Sequence, residues 1–406
     1  MDKSYLADYF EGVAAKRLSS VEADRARSRQ HEYQTTAEMR KFLGVPQGKQ
    51  ELPTTFAYLS DDADPIQEQS SLTYYDSRQN QAKRSPELRL YFPETSISQR
   101  TQTGDVLFIC KVRSSGHLLA LVAQANSSWE LQLLCLLGIQ DDSLLKFHSL
   151  EERALTDTQV DVAASVILEL LGVEPAFSGD EFLNEMLETF GTSFPSTREF
   201  SAFSRSTLAL DSTRDPDLAL VRWMEREEAL FRTFERKLIS VWLQTEFSGD
   251  ADEFMSKSLS LQNRRKSRAG QAFENNLAEI FLKNRLKFQR TALTENKSKP
   301  DFLFPGSKNY ADPDFPATGL AMLGAKTTCK DRWRQVLTEA ARIGKKHLIT
   351  LESPISKGQT EEMKFNALQL VVPKQLQAHY SADQQEWILS LEDFISDVRD
   401  TQKKYL

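Results

Sequence analysis

The apolar periodicity of the chain changes character part-way along, and that change excludes a single uniform architecture. In "DLALVRWMEREEALFRTFERKLISVWLQTEF" (217–247), Leu218, Leu220, Val221, Met224, Leu230, Phe231, Phe234, Leu238, Ile239 and Val241 recur at three- and four-residue steps. This spacing lines one face of a long amphipathic helix. "GDADEF" (249–254) then reads as a helix restart with an Asp cap. Upstream, the apolar residues come in short runs: "TTFAYLS" (54–60), "SLTYYDS" (71–77), "ELRLYFP" (87–93), "DVLFICKV" (105–112), "HLLALVAQ" (117–124) and "ELQLLCLLG" (130–138). Polar, Gly, Pro and Ser segments separate them, which predicts an antiparallel sheet or barrel; some of the runs could be short helices, since periodicity cannot settle runs this short. Downstream, helical and strand patterns alternate. "GQAFENNLAEIFLKN" and "RWRQVLTEAARIGKK" read as helices, "DFLFPG", "GLAMLGAKTT" and "KHLITLES" as strands, and "ALQLVVPKQLQAHY" as a strand running into a helix. That alternation predicts an α/β domain. Pro, Ser, Gly and Thr recur between the halves. The expected division is therefore a mostly β domain over 1–170, a linker over 171–214 and an α/β domain over 215–406.

Composition narrows the class. The 406 residues are 40% hydrophobic and 27% charged, with a net charge of −7, as in ordinary globular chains. The acidic balance argues against a surface coated in positive charge, but nucleic-acid binding depends on local patches. The three cysteines (Cys110, Cys135 and Cys329) form no CxxC pair, so neither a zinc site nor a disulfide framework is predicted. A reducing, cytoplasmic setting follows as the expectation. No apolar run reaches the roughly 18 residues of a membrane span. Acids interrupt the apolar pattern of "MDKSYLADYFEGVAAKRL", which does not read as a signal peptide.

The chemistry gathers in the second half. Asp301 opens the run "DFLF", and Lys326 closes the run "MLGAK". Pairing these strands as a hairpin would set the two side chains next to each other. Glu339 follows on the next predicted helix and Glu274 precedes on another. Up to three carboxylates and a lysine suit phosphodiester hydrolysis. Hard Mg²⁺ needs one or two carboxylates plus a substrate phosphate, and a lysine orients the attacking water or offsets phosphate charge. Spacing alone leaves the bland alternative open: a turn acid after Pro300, and two solvated helix faces.

"KSLSLQNRRKSRAG" (257–270) carries Lys257, Arg264, Arg265, Lys266 and Arg268 without an acid. Phosphate contact is one reading and a solvated basic segment the other. "KDRWR" offers Lys330, Asp331, Arg332 and Arg334. Arginines there suit guanine O6 and N7, and Asp331 suits the cytosine amino group. A salt-bridged helix start is the equal alternative.

In order and spacing, "NRRKSRAGQAFE", "KPDFLFPG" and "KTTCKDRWRQVLTEA" closely resemble the catalytic domain of EcoRII-like restriction endonucleases, over about residues 215–400. The resemblance implies a restriction-endonuclease-like α/β fold with a PD-(D/E)xK-type site. Asp301 and Glu339 would be the Mg²⁺ ligands, with Glu274 assisting. Lys326 would be the catalytic lysine, Tyr310 a further active-site residue, and Lys330, Asp331 and Arg332 the readers of C·G pairs. In this family the second acid comes after the lysine, on a helix, which accounts for "GAK" in place of an acid two residues earlier. "AKRLSS" (15–20), His31 and "YYDSR" (74–78) followed by Lys83, Arg84 and Arg89 are similar in order to the family's effector-binding domain, a mostly β pseudobarrel. That likeness implies that Lys16, His31, Arg84 and Arg89 face a second DNA copy. Together the halves imply a type IIE enzyme, a homodimer through its C-terminal domains, cutting double-stranded DNA at a CC/GG-containing, CCWGG-like site. A non-catalytic DNA-binding regulator and a low-specificity repair nuclease remain as alternatives.

Overall fold

The structure is a computed structural model that describes residues 5–23, 31–80, 84–139, 144, 147–150, 155, 167–168, 171–173, 180–245, 251–329 and 332–406. Its contacts divide the chain into two compact units, one of residues 3–176 with 354–356, the other holding 177–353 and 357–406. Among the described residues no helix is long and apolar enough to cross a membrane.

The first unit is an open, curled sheet of eight strands. They are β1 (Phe10–Arg17), β2 (Glu32–Gln34), β3 (Gln50–Leu59), β4 (Ile66–Asp76), β5 (Leu88–Tyr91), β6 (Val106–Val112), β7 (Leu118–Ala123) and β8 (His148–Ser149), in the order β2-β5-β4-β3-β7-β6-β1-β8. Every pairing is antiparallel except β3 with β7. Alternate residues serve different cores: Val13, Phe108, Cys110, Leu119 and Leu121 pack in one cluster, and Ala14, Leu107, Ile109, Ala120 and Val122 in the other. Burial on both faces explains why "LLALVA" is continuously apolar where a half-exposed strand alternates. The mostly β unit expected from the sequence is thus observed.

"ELQLLCLLG" is a correction: it forms helix α1 (Ser128–Leu137), not a strand. The Ser127 side chain accepts from the Glu130 amide at the start, and Gly138 ends it in the left-handed conformation at φ 63°. Periodicity cannot separate a buried helix from a strand in so short an apolar run. Strand β1 gave no sequence signal because its Gly and Ala residues neither alternate nor carry β-branched side chains.

The second unit holds a five-stranded sheet flanked by helices. Strands β9 (Gln289–Arg290), β10 (Phe302–Phe304), β11 (Ala321–Lys326), β12 (Lys346–Thr350) and β13 (Leu368–Val371) lie in the order β13-β12-β11-β10-β9. β11, β12 and β13 are parallel, while β10 is antiparallel to both neighbours. The expected linker is largely structured. α2 (Leu183–Phe190) and α3 (Thr197–Ser206) pack on α4 (Pro216–Thr245) through Phe190, Phe194, Phe200, Phe231 and Phe234. Their Ser, Thr and Pro residues serve as caps and turns: Ser196 accepts from the Glu199 amide and Glu199 reaches back to the Ser196 amide.

The basic segment is helical. Residues 257–270 lie inside helix α5 (Ala251–Lys283), and its arginines are engaged internally. Arg265 pairs with Glu235 at 2.7 Å, Arg268 pairs with Glu228, and Arg264 stacks on the Phe194 ring at 4.4 Å. Their cations hold α5 to its neighbours, an internal role that neither the phosphate-contacting nor the solvated reading gave them; the Lys266 side chain lies outside the described residues. Burial alone would raise Glu228, but Arg268 and Arg232 beside it hold its carboxyl below the ordinary value. Removing one partner of a buried pair leaves an uncompensated charge. Arg268→Ala is therefore expected to lower unfolding free energy by about 3–5 kcal/mol in chemical denaturation. Unchanged stability with a DNA-binding salt slope reduced by about one would return Arg268 to the phosphate-contacting reading.

Candidate active site

The antiparallel register of β10 and β11 builds the centre of the site. Phe302 lies opposite Leu323, so Asp301, one residue before the strand, arrives beside the end of β11. Its Oδ2 accepts from the Ala325 amide at 2.7 Å and from Lys326 Nζ at 3.0 Å. Side-chain exposures of 15% for Asp301 and 22% for Lys326 leave both within reach of a ligand and well shielded. The side-by-side placement expected from the hairpin is what the strands produce. Gly324 makes room for it. A Cβ there would lie 2.8 Å from Val336 Cγ2, so the short helix α7 (Trp333–Val336) packs directly on the β11 backbone (α6 is Ser307–Ala311).

Glu339 joins the pair, but not from a helix. The helix expected over 332–346 stops at Val336, and Glu339 sits on a bend. The Glu339 amide still donates to the Val336 carbonyl at 3.2 Å, and Ala340 takes φ 48°, which an α-helix cannot contain. Burial, and then the charge of Asp301, push the Glu339 carboxyl above its ordinary value; Lys326 and Lys346 pull the other way. Glu339 Oε2 is shut from solvent and has no hydrogen-bond partner among the described residues. A buried carboxylate oxygen without a donor is unfavourable unless something else meets it. Beside a second carboxylate and a lysine, it fits a hard divalent cation with oxygen ligands.

The remaining predicted residues divide. Glu274 does not join: Arg290 on β9 donates to it at 2.8 Å, tying α5 to the sheet. Among the described residues no three His, Cys, Asp or Glu side chains gather as a metal cluster, so Glu274 does not complete a three-ligand set with Asp301 and Glu339. Tyr310, on α6, donates its hydroxyl to Glu295 at 2.6 Å and bonds neither Asp301 nor Lys326. Burial, and then that carboxylate, push its phenol up to about 12. Arg332 is exposed just before α7, with its amide on the Cys329 carbonyl at 2.8 Å. Arg334 is committed elsewhere: its guanidinium pairs with Glu362 at 2.8 Å and lies over the Trp333 ring. Lys330 and Asp331 lie outside the described residues.

In the first unit, Lys16 pairs with Glu22 and lies over the Phe147 ring. Arg89 is held between Glu32 at 3.0 Å and Glu87 at 2.9 Å, and the His31 ring packs by Phe92 at 5.4 Å. Of the four residues expected to face a second DNA copy, only Arg84 is exposed. Lys16 and Arg89 would have to leave a carboxylate partner to contact DNA, whereas the His31 side chain has, among the described residues, only ring contacts and an Nδ1 with no hydrogen-bond partner.

Sequence reading missed Glu295, Arg342 and Lys346, which cluster behind Glu339. Glu295 sits in a polar stretch without pattern, and Arg342 and Lys346 in a run whose spacing reads as a plain helix, so only the tertiary fold brings them together.

The raised Glu339 carboxyl has a consequence for stability. Folding favours its protonated form, so its contribution is fully present below the ordinary carboxylate range and is lost as pH rises through the raised value. Glu339→Gln is therefore expected to raise the metal-free melting temperature at neutral pH and to leave it nearly unchanged below about pH 4. Differential scanning calorimetry at the two pH values checks this, and a lower neutral-pH melting point would contradict it.

The family model described as EcoRII C terminal matches residues 231–395. The chain is 39% identical over 206 residues to the type II restriction enzyme EcoRII of Escherichia coli, an alignment covering 50% of each protein. The chain thus spans about half the length of the curated relative it matches. Among solved structures, metal-depleted Ecl18kI in complex with uncleaved, modified DNA is similar at 18% identity and a TM-score of 0.44, over 56% of this chain and 86% of that one. The restriction endonuclease PspGI–substrate DNA complex is similar at 15% identity and a TM-score of 0.43, over 52% and 94%. Residues 231–395 are thus similar to the C-terminal domain of EcoRII-like type II restriction endonucleases.

Proposed function

We propose that the chain is a Mg²⁺-dependent, site-specific endonuclease that hydrolyses phosphodiesters of double-stranded DNA at a short CC/GG-containing, CCWGG-like sequence. The observation that carries this reading is the Asp301 carboxylate bonded to Lys326 Nζ at 3.0 Å, with the partnerless oxygen of Glu339 on the same side of the electrostatic balance. Asp301 and Glu339 would hold the cation. When bound, Mg²⁺ supplies Lewis acidity to the phosphoryl group and lowers the pKa of a coordinated water. The chain's own groups do the rest. The Ala325 amide fixes the rotation of the Asp301 carboxylate. Lys326, anchored at the end of β11, orients the attacking water and offsets charge developing on the phosphate. Glu339 brings a second negative charge that a water-filled site would not keep in place. Arg332, exposed at the end of the 327–332 segment, reads a guanine edge, with Lys330 and Asp331 beside it.

The wider proposal follows the family resemblance of the sequence: a cytoplasmic, type IIE homodimer pairing through its C-terminal domains, with a second DNA copy held by the N-terminal unit as activator. Incubation with plasmid DNA tests the core of it. Discrete fragments in Mg²⁺, and none after chelation, are expected. A smear supports a low-specificity nuclease, and retarded but uncut DNA a non-catalytic binder. Lys326→Ala should slow cleavage by about 10²–10⁴-fold while sparing DNA binding. Arg332→Ala should cost about 1–3 kcal/mol of discrimination at one G·C pair, read as relative cleavage of sites altered at that pair. Fragment-end sequencing supplies the site itself.

A further inference from the structure

The bend that carries Glu339 is held in a conformation that side-chain-bearing residues avoid, and the groups holding it form a separate cluster. Ala340 sits at φ 48°, in the left-handed region, where a non-glycine residue persists only if its surroundings over-determine it. Those surroundings are explicit. Ahead of the bend, Lys346 Nζ donates to the Leu337 carbonyl. Behind it, Glu295 Oε2 accepts from the Ala341 amide at 3.2 Å, and the Tyr310 hydroxyl accepts from the Arg342 amide at 3.2 Å. Tyr310 in turn donates to both Glu295 oxygens, at 2.8 and 2.6 Å. The Arg342 guanidinium then ties the bend to the loop after β10, reaching the carbonyls of Tyr310, Asp312 and Phe315, the last two at 2.8 and 2.7 Å.

We propose that Glu295 is a positioning residue for the hydrolysis: through Tyr310 and the amides of residues 341 and 342, it sets the bend that aims Glu339 toward Asp301. The proposal rests on the endonuclease reading above. A cation site works only if its ligands are held to about 0.5 Å, by groups that are themselves fixed. A ligand on a helix inherits that precision from the backbone ladder. Glu339 has left its helix, so the precision comes from side chains, and Glu295 is the acceptor on which they converge. Tyr310, on this geometry, acts through Glu295 and not on the phosphate.

The test uses the full chain with Glu295→Ala and Glu295→Gln. In the metal-free protein, hydrogen exchange of the 341 and 342 amides should be markedly faster in Glu295→Ala. Mn²⁺ binding in the presence of DNA, followed by electron paramagnetic resonance, should weaken about 10-fold or more, with DNA binding itself retained. Glu295→Gln should stay close to wild type in both, because its amide oxygen still accepts from Tyr310 and Ala341. Glu295→Ala with unaltered Mn²⁺ binding overturns the proposal, as does Glu295→Gln failing as badly as Glu295→Ala. Should Glu295→Ala not fold, Tyr310→Phe replaces it: weaker Mn²⁺ binding is expected, and unchanged binding overturns the proposal. A wild-type protein that neither binds Mn²⁺ nor cuts DNA sinks the endonuclease reading, and this one with it; wild-type cutting alongside an indifferent Glu295→Ala sinks only the positioning role.

Discussion

The register of β10 against β11 is the constraint on which the site depends. A strand's side chains alternate, so a slip of one residue would turn Asp301 away from Lys326 and expose Phe302 and Phe304. The aromatic core forbids that slip. Phe281 of α5 meets Phe302 at 5.1 Å and Phe304 at 5.3 Å, and Phe394, on the C-terminal helix Leu391–Tyr405, meets Phe304 at 5.6 Å. Two helices far apart in sequence thus fix the register edge-to-face. The acid–lysine pair follows from packing that has nothing polar in it.

Around this centre, charge is used in two ways. Between α4 and α5, arginines and glutamates neutralise one another. Arg232 pairs with Glu228 at 2.7 Å and Arg265 with Glu235 at 2.7 Å, and Glu227 takes hydrogen bonds from Ser201 and Asn276 at 2.9 and 3.2 Å. Most of these charges meet a partner on the chain, although Arg268 Nε is buried without a hydrogen-bond partner among the described residues and burial holds the Glu227 carboxyl above its ordinary value. At Asp301, Lys326 and Glu339 the balance is left incomplete: one Glu339 oxygen is unmet, and its carboxyl is pushed up by burial and then by Asp301. What sets the second group apart is access: Asp301 and Lys326 keep 15% and 22% side-chain exposure, and a perturbed carboxyl beside them is within reach of a ligand.

What the sequence made legible was what local pattern encodes. The helix of 217–247, the strands at 302–304 and 321–326 and the meeting of Asp301 with Lys326 all follow from periodicity and from one inferred pairing. The basic run misled because composition does not tell which face of a helix an arginine occupies; Glu228 and Glu235, some thirty to forty residues away, claim Arg268 and Arg265. "RWRQVLTEA" misled differently. Its helical spacing is real, but the hydrogen bonds that stop it come from Glu295 and Tyr310, and no window around residue 339 contains them.

The early end of that helix also bears on how the site works. Had it continued, Glu339 would have kept regular helical geometry, with its rotation fixed by the helix face. On a bend with Ala340 in the left-handed region, the carboxylate is instead held close to Asp301, where their charges oppose. The fold therefore sets two like charges near each other, using hydrogen bonds elsewhere to offset the unfavourable backbone and the repulsion. A cation between them would relieve the repulsion, and its binding would be stronger by the same free energy. Lys346, whose own ammonium is disfavoured by burial and favoured by Glu339 and then Glu295, shares in that balance. On the proposed reading, the strain at Ala340 and the unmet oxygen of Glu339 are two sides of one arrangement that a bound cation would complete.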